Sequence, residues 1–280
     1  MTNIKIVADS SVQMTPEEVA QYQVTIIPLT VMIDGTVYTD GETITRDEFV
    51  NKMFSAKDLP QTSQPAIGSF VEQYNQLTAD GSQVISIHLA ESLSGTVNAA
   101  RQAAEMADGD VTVIDSGLTD RAMAFQVIEA AKLAAQGADV DTIVARAKTV
   151  EDHTTLRMGV VDLTNLVKGG RLSKAAGMIT SVLNIKIALS MENGKLGILK
   201  KGRGMKTIKR FIDDVVQTMS QRPGIQSVGV SYVDETSGAD AIADQIRAAV
   251  PGVDVLVRRT GPIVATHAGK GAFAIMYYED

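Results

Sequence analysis

Four short segments carry the polar side chains that could do chemistry. They are Thr62-Ser63-Gln64-Pro65, Ser92-Leu93-Ser94-Gly95-Thr96, Gly202-Arg203-Gly204 and Ala265-Thr266-His267-Ala268-Gly269-Lys270-Gly271. Between them they offer hydroxyls, one guanidinium and one imidazole, which are groups that donate hydrogen bonds to an oxyanion. Glycines beside Arg203 and His267 are expected to place both in loops and let backbone approach a ligand closely. Ser94 precedes an expected helix, and the amides at a helix start suit a carboxylate or phosphate. Together these groups are expected to hold the anionic head group of a small ligand. Each segment also has a plainer reading. Ser92 or Ser94 could cap a helix, Ser63 or Gln64 could do the same with Pro65 in the first turn, and Arg203 could simply be solvated. Asp9 and Asp115 each end an expected strand, where turn and cap roles come first. With no third acid or histidine nearby in sequence, they are weak evidence for a metal.

Several catalytic signatures are missing. There is no G-x-x-x-x-G-K-[ST] loop, so Lys270 is not a phosphate-loop lysine of that type. No G-x-S-x-G elbow surrounds Ser94, and neither His-Glu-x-x-His nor a dinucleotide glycine fingerprint occurs. A chain with these gaps can bind a ligand without transforming it.

The elements that must position these groups follow from periodicity and turn signals. Strands are expected over 4–8, 25–33, 84–89 and 111–114, alternating with helices over 46–54, 67–77, 96–106, 121–136 and 140–153. Asp34-Gly35 reads as a hairpin-like turn into 36–38. This alternation predicts an α/β unit with a mostly parallel sheet and helices on both faces. From residue 155 the pattern loosens. A strand over 156–161, a loop at Gly169-Gly170-Arg171 and a helix over 175–183 precede strands over 185–190 and 195–199. Asn193-Gly194 between those strands is a hairpin signal. Helices over 205–219 and 239–249, and strands over 227–233, 253–258 and 271–278, complete a second α/β unit with a mixed or antiparallel sheet. The expected domains are therefore 1–155 and 156–280.

Composition narrows the function classes. The 280 residues suffice for two sizeable cores, and with 45% hydrophobic and 21% charged residues the chain reads as globular. A net charge of −7 disfavours nucleic acid and anionic membranes as default partners. The absence of cysteine excludes disulfides and thiolate chemistry, and three scattered histidines make a multi-histidine metal site unexpected. The N-terminal residues resemble neither a signal peptide nor a transit peptide, and no apolar run reaches the roughly 18 residues of a membrane span. The expected location is the cytoplasm.

Taken in order along the chain, these segments resemble the DegV family, the bacterial fatty acid-binding proteins also called FakB. The resemblance rests on Ala8-Asp9-Ser10-Ser11, Thr62-Ser63-Gln64-Pro65, Ser92-Leu93-Ser94-Gly95-Thr96 and Asp115-Ser116. It continues through Lys168-Gly169-Gly170-Arg171-Leu172-Ser173, Leu183-Asn184-Ile185-Lys186, Gly202-Arg203-Gly204 and Ala265-Thr266-His267-Ala268-Gly269. It implies a two-domain fold with a long-chain fatty acid buried in a tunnel between or along the domains. By motif matching, Thr62 and Ser94 would bond the carboxylate, with Arg203 and His267 beside it or facing a partner, and Ser63, Gly95 and Thr96 in support. The implied partner is a separate ATP-dependent kinase subunit, FakA, which phosphorylates the bound acid and so feeds phospholipid synthesis. Transient membrane contact is compatible with that role. No metal or cofactor is implied, and the chain itself would not be an enzyme. Lys270 and Ala66 depart from the family pattern, and Lys270 bears on how the partner docks. The competing reading is a hydrolase or phosphotransfer subunit, related to dihydroxyacetone kinase, that uses Ser94, His267 and Asp115.

Overall fold

The computed structural model describes residues 3–171 and 184–280. The expected helix over 175–183, and the motif residues Leu172, Ser173 and Leu183, lie outside the described residues. The first half runs β1 (Ile4–Asp9), α1 (Pro16–Gln21), β2 (Thr25–Ile27), β3 (Thr30–Ile33), β4 (Thr36–Thr39), α2 (Arg46–Ser55), β5 (Gln61–Ser63), α3 (Ile67–Thr78), β6 (Gln83–His88), α4 (Thr96–Met106), β7 (Val111–Asp115), α5 (Asp120–Ala135) and α6 (Val140–Asp152). The rest comprises β8 (Thr154–Val160), α7 (Thr164–Lys168), β9 (Ile185–Glu192), β10 (Lys195–Arg203), α8 (Met205–Ser220), β11 (Ile225–Tyr232), α9 (Thr236–Ala249), β12 (Val255–Arg259), α10 (Pro262–Ala268) and β13 (Phe273–Glu279).

Strands β2-β1-β6-β7 form a parallel sheet. Alternate side chains feed its two faces. Val7 and Val84 pack under α3 and α4 against Phe70, Tyr74 and Ala100. Ile6, Ala8, Ile85 and Ile87 meet Met123, Ala124 and Val127 of α5 on the other face. The α/β expectation, with helices on both faces of a parallel sheet, holds here. A six-stranded mixed sheet, β10-β9-β8-β13-β11-β12, forms from residue 154 onward. Helices α8 and α9 cover one of its faces through Phe211, Val215, Ile242 and Ile246. The other face turns towards α5, and Leu156, Met191 and Met276 share a single core with Met123 and Phe125.

Two expectations need correction. Residues 25–33 do not form one strand. Pro28, which has no amide hydrogen to donate, separates β2 in the parallel sheet from β3. Strand β3 instead pairs with β4 and β5 in a small antiparallel sheet. The late glycine-containing segment is not a loop through His267. Gly261-Pro262 opens helix α10, His267 sits in its last turn, and Gly269, at φ 79°, ends it.

Asp120 joins the two large sheets. It follows β7 with φ 57°, a left-handed conformation that aspartate tolerates better than most residues. Its carboxylate accepts hydrogen bonds from Ser231 Oγ (2.5 Å) in β11, Gln13 Nε2 (3.2 Å) and Thr260 Oγ1. A buried carboxylate needs such partners, and here they come from both halves of the molecule.

Candidate functional site

Thr62 is the middle residue of β5, opposite Val31. A three-residue strand leaves no slack, so the backbone fixes where its hydroxyl points. Its Oγ1 lies 3.0 Å from Nε2 of His267. Ser94 lies in the turn between β6 and α4, held by its amide to the Ala90 carbonyl. The Ser94 hydroxyl is 2.8 Å from Thr96 Oγ1 and accepts the Thr96 amide at 3.3 Å. Thr96 is fully buried and steadies Ser94 from behind. Gly95 is the residue preceding the helix, and a Cβ there would lie 2.2 Å from Gln64 Oε1. The Thr62 segment and the Ser94 turn therefore meet where the Gln64 side chain reaches Gly95. The expected cap at Ser63 or Gln64 is not formed, because Ala66 precedes α3 and makes no side-chain cap.

These segments line one end of a cavity of about 870 Å³, mouth included. Thr62, Ser63, Gln64, Ser94, Gly95, Arg171 and His267 gather at its polar end, and aliphatic side chains such as Leu29, Leu89, Leu156, Met158 and Met191 form its walls. Arg171 donates from Nε to the Leu93 carbonyl (3.2 Å) and from Nη1 to the Gly169 carbonyl (2.7 Å). Burial lowers its pKa from the ordinary guanidinium value. Burial, and then the Arg171 charge, pull the His267 pKa down to about 4, so the ring is neutral at pH 7. His267 Nδ1 is buried and has no partner among the described residues. It faces Gly169, where a Cβ would lie 2.6 Å from it. The tautomer with the proton on Nε2 donates to Thr62 and leaves the threonine hydroxyl hydrogen free for a ligand.

Of the expected site residues, the structure brings Thr62, Ser94 and His267 together, with Ser63 and Gly95, and places Thr96 one layer behind. It does not bring Arg203 to this cavity. Gly202 and Arg203 continue β10 instead of forming a loop, and Leu199, Lys201 and Arg203 alternate on its exposed side. The guanidinium at the polar end belongs to Arg171. The Gly-Gly-Arg segment was visible in the sequence, but nothing in its spacing set Arg171 above Arg203.

The serine, histidine and aspartate of the competing enzyme reading do not form a relay. Asp115 accepts the amides of Glu91 (3.3 Å) and Gly117 (2.9 Å), His267 contacts Thr62, and Ser94 contacts Thr96. An acid–imidazole–hydroxyl chain does exist elsewhere. Asp9 Oδ2 lies 3.1 Å from His88 Nδ1, His88 Nε2 is 2.7 Å from Ser86 Oγ, and Tyr74 Oη donates to Ser86 Oγ at 2.8 Å. All four side chains are sealed at 0% exposure, so no substrate reaches them. The chain is structural, and through the Asp9 contact to the Leu89 amide (2.9 Å) it anchors the turn that carries Ser94. Sequence spacing gave no sign of it, since His88 stands 79 residues from Asp9.

The family profile of DegV proteins matches residues 3–280. The chain belongs to the DegV family. A DegV domain-containing protein of Streptococcus pneumoniae is 44% identical over 276 residues, covering 99% of this chain and 98% of that protein. One from Listeria monocytogenes is 41% identical over 281 residues, with both chains covered in full. Among solved structures, DegV from Bacillus subtilis, described as a fatty acid binding protein, superposes with a TM-score of 0.92 at 30% identity, covering both chains in full. The DegV family protein from Thermus thermophilus, also described by its fatty acid binding, gives 0.90 at 27% identity, again covering both chains in full. No helix among the described residues of this DegV chain is long and apolar enough to cross a membrane.

Proposed function

We propose that this DegV protein binds a long-chain fatty acid and presents its carboxylate to a separate kinase subunit. The observation that carries the reading is one cavity with aliphatic walls and an end built of two hydroxyls, a neutral imidazole and a guanidinium. Each buried methylene contributes about 0.8 kcal/mol, so the acyl chain supplies most of the affinity. The polar end offsets the cost of burying a carboxylate. Thr62, oriented by His267, and Ser94 donate to the carboxylate oxygens, and Arg171 supplies the opposite charge. Solved DegV structures that superpose along the whole chain and are described as fatty acid binding support the same ligand.

Presentation rests on a second feature. Leu93, Ser94, Gly95 and Arg171 also line an outer pocket with Glu91, Ser92, Gly169 and Gly170. The polar end is thus approachable from outside while the acyl chain stays covered. A kinase subunit docked there would transfer phosphate from ATP to the carboxylate, and the acyl phosphate would feed phospholipid synthesis. Catalysis then belongs to the partner. The test is to incubate the loaded protein with ATP and a bacterial fatty acid kinase subunit and to trap acyl phosphate as a hydroxamate. Product that forms only when both proteins are present is expected. Product formed by this chain alone would move the chemistry to this chain.

A further inference from the structure

The main cavity does not end where its walls first close. Leu156, Met158, Val264, Ala268 and Thr119 line it and also line a second, smaller chamber beyond them. The register of the mixed sheet shows how the two are joined. Directly opposed residues in neighbouring strands point to the same face. One row runs Leu196, Met191, Leu156, Met276 across β10, β9, β8 and β13. The next contains Met158, Ala274 and Ser231 across β8, β13 and β11. The first chamber lies under β10, β9 and β8, and the second lies under β13 and β11. The waist between them falls at β8, and crossing two more strands extends the path by about 10 Å.

Empty apolar space in a protein core costs stability. Small side chains leave the space open: Ala268, Ala272 and Ala274 line it, and Ala274 stands opposite Met158 in the sheet. The far wall is closed chemically. Ser231 Oγ accepts from Gln13 Nε2 at 2.7 Å and donates to Asp120, and Thr260 Oγ1 also donates to Asp120. Those polar groups are already engaged with each other, so the wall has little to offer a polar chain end.

We propose that the second chamber receives the distal methylenes of the acyl chain, and that Ala274 and Met276, on its β13 floor, set the chain length this protein accepts. This rests on the fatty acid reading above. A chain end bearing a second carboxylate loses water there and meets the Asp120 carboxylate, so dicarboxylic acids are rejected.

The test uses delipidated full-length protein equilibrated with an equimolar series of straight saturated acids from decanoic to eicosanoic. The protein is re-isolated and the bound acids are quantified by mass spectrometry. Ala274→Leu fills the chamber and is expected to move the retained acids towards shorter chains. Displacing two methylenes lowers the preference for the longer acid about fifteen-fold. Met276→Ala enlarges the same chamber and is expected to move the distribution the other way, which decides the matter if Ala274→Leu does not fold. A wild-type protein that retains acids, with an unchanged length distribution in the folded variants, overturns this inference and leaves the fatty acid reading standing. A wild-type protein that retains no acid overturns that reading and this inference with it.

Discussion

At the scale of single residues, the account turns on donors aimed at one point. Ser94→Ala removes one hydroxyl, and Thr62→Val removes another at nearly constant shape. Each should weaken fatty acid binding by about 1–3 kcal/mol, the cost of losing one hydrogen bond to a buried charged group. Binding of the corresponding fatty alcohol should change far less. Calorimetric titration of each variant with the acid and the alcohol measures both. An equal loss for acid and alcohol would show that the hydroxyls serve packing and not the carboxylate.

Two buried residues give the protein an uncommon acid response. Burial pushes the Asp40 carboxyl up to about 6, while its bond to Ser10 opposes the shift. Between its unfolded value of 3.8 and about 6, the folded chain holds a proton that the unfolded chain has released. Stability from Asp40 is therefore present at low pH and is lost as pH rises through that window. His267 does the reverse. Between about 4 and its unfolded 6.5, the unfolded chain is protonated and the folded chain is not. Stability from His267 is present above that window and is lost as pH falls through it. The two slopes oppose each other. Asp40→Asn should leave the histidine slope uncovered, so that this variant loses stability on acidification from pH 6.5 to 4 faster than wild type, by up to about 1.4 kcal/mol per pH unit. Urea unfolding at a series of pH values tests it, and parallel curves for the two proteins would contradict it.

At the scale of elements, the site depends on close approaches that only glycine permits. Gly169 ends α7, and a Cβ there would lie 2.6 Å from His267 Nδ1 and 2.9 Å from the Asn165 carbonyl oxygen. Gly169→Ala must therefore displace the imidazole ring and shift the last turn of α7. The expected result is weaker fatty acid binding by about the cost of one hydrogen bond, as for Thr62→Val, together with a lowered melting temperature. Unchanged affinity would show that His267 does not orient Thr62.

Elements also explain what was legible in the sequence. The Asn193-Gly194 hairpin was readable because both residues take positive φ, 49° and 69°, and few residue pairs do so easily. The parallel strands and their helices were readable from periodicity alone. Strand β5 was not. Three residues carry no period, and its partner β3 was hidden inside an apolar run that only Pro28 divides. The placement of His267 was misjudged for a related reason, because the surrounding glycines suggested a loop while Gly261-Pro262 opens a helix of seven residues. Thr62, Ser94 and His267 were singled out by motif, and all three line the same cavity. Arg171 and Arg203 could not be ranked, because what separates them is the direction in which each backbone segment leaves its element.

At the scale of the whole molecule, the cavity has walls from both halves, so the halves must be held in register. Asp120 does much of this through Gln13, Ser231 and Thr260. Asp120→Asn keeps the shape and, through its carbonyl oxygen, can keep Ser231 and Gln13, but its amide nitrogen replaces the oxygen that accepts from Thr260. The expected cost is about 1–3 kcal/mol, from the lost bond to a charged acceptor. Denaturant unfolding should show it as a lowered midpoint, and a midpoint equal to wild type would mean that packing alone joins the halves.

The central claim is that the cavity between these sheets holds a fatty acid by its carboxylate. Its most direct test is native mass spectrometry of the protein purified from a bacterial host, repeated after organic extraction and after re-addition of palmitic acid. The account predicts a bound mass equal to one long-chain fatty acid, lost on extraction, restored by palmitic acid and not restored by its methyl ester. A protein that carries no lipid and takes up neither compound would contradict it.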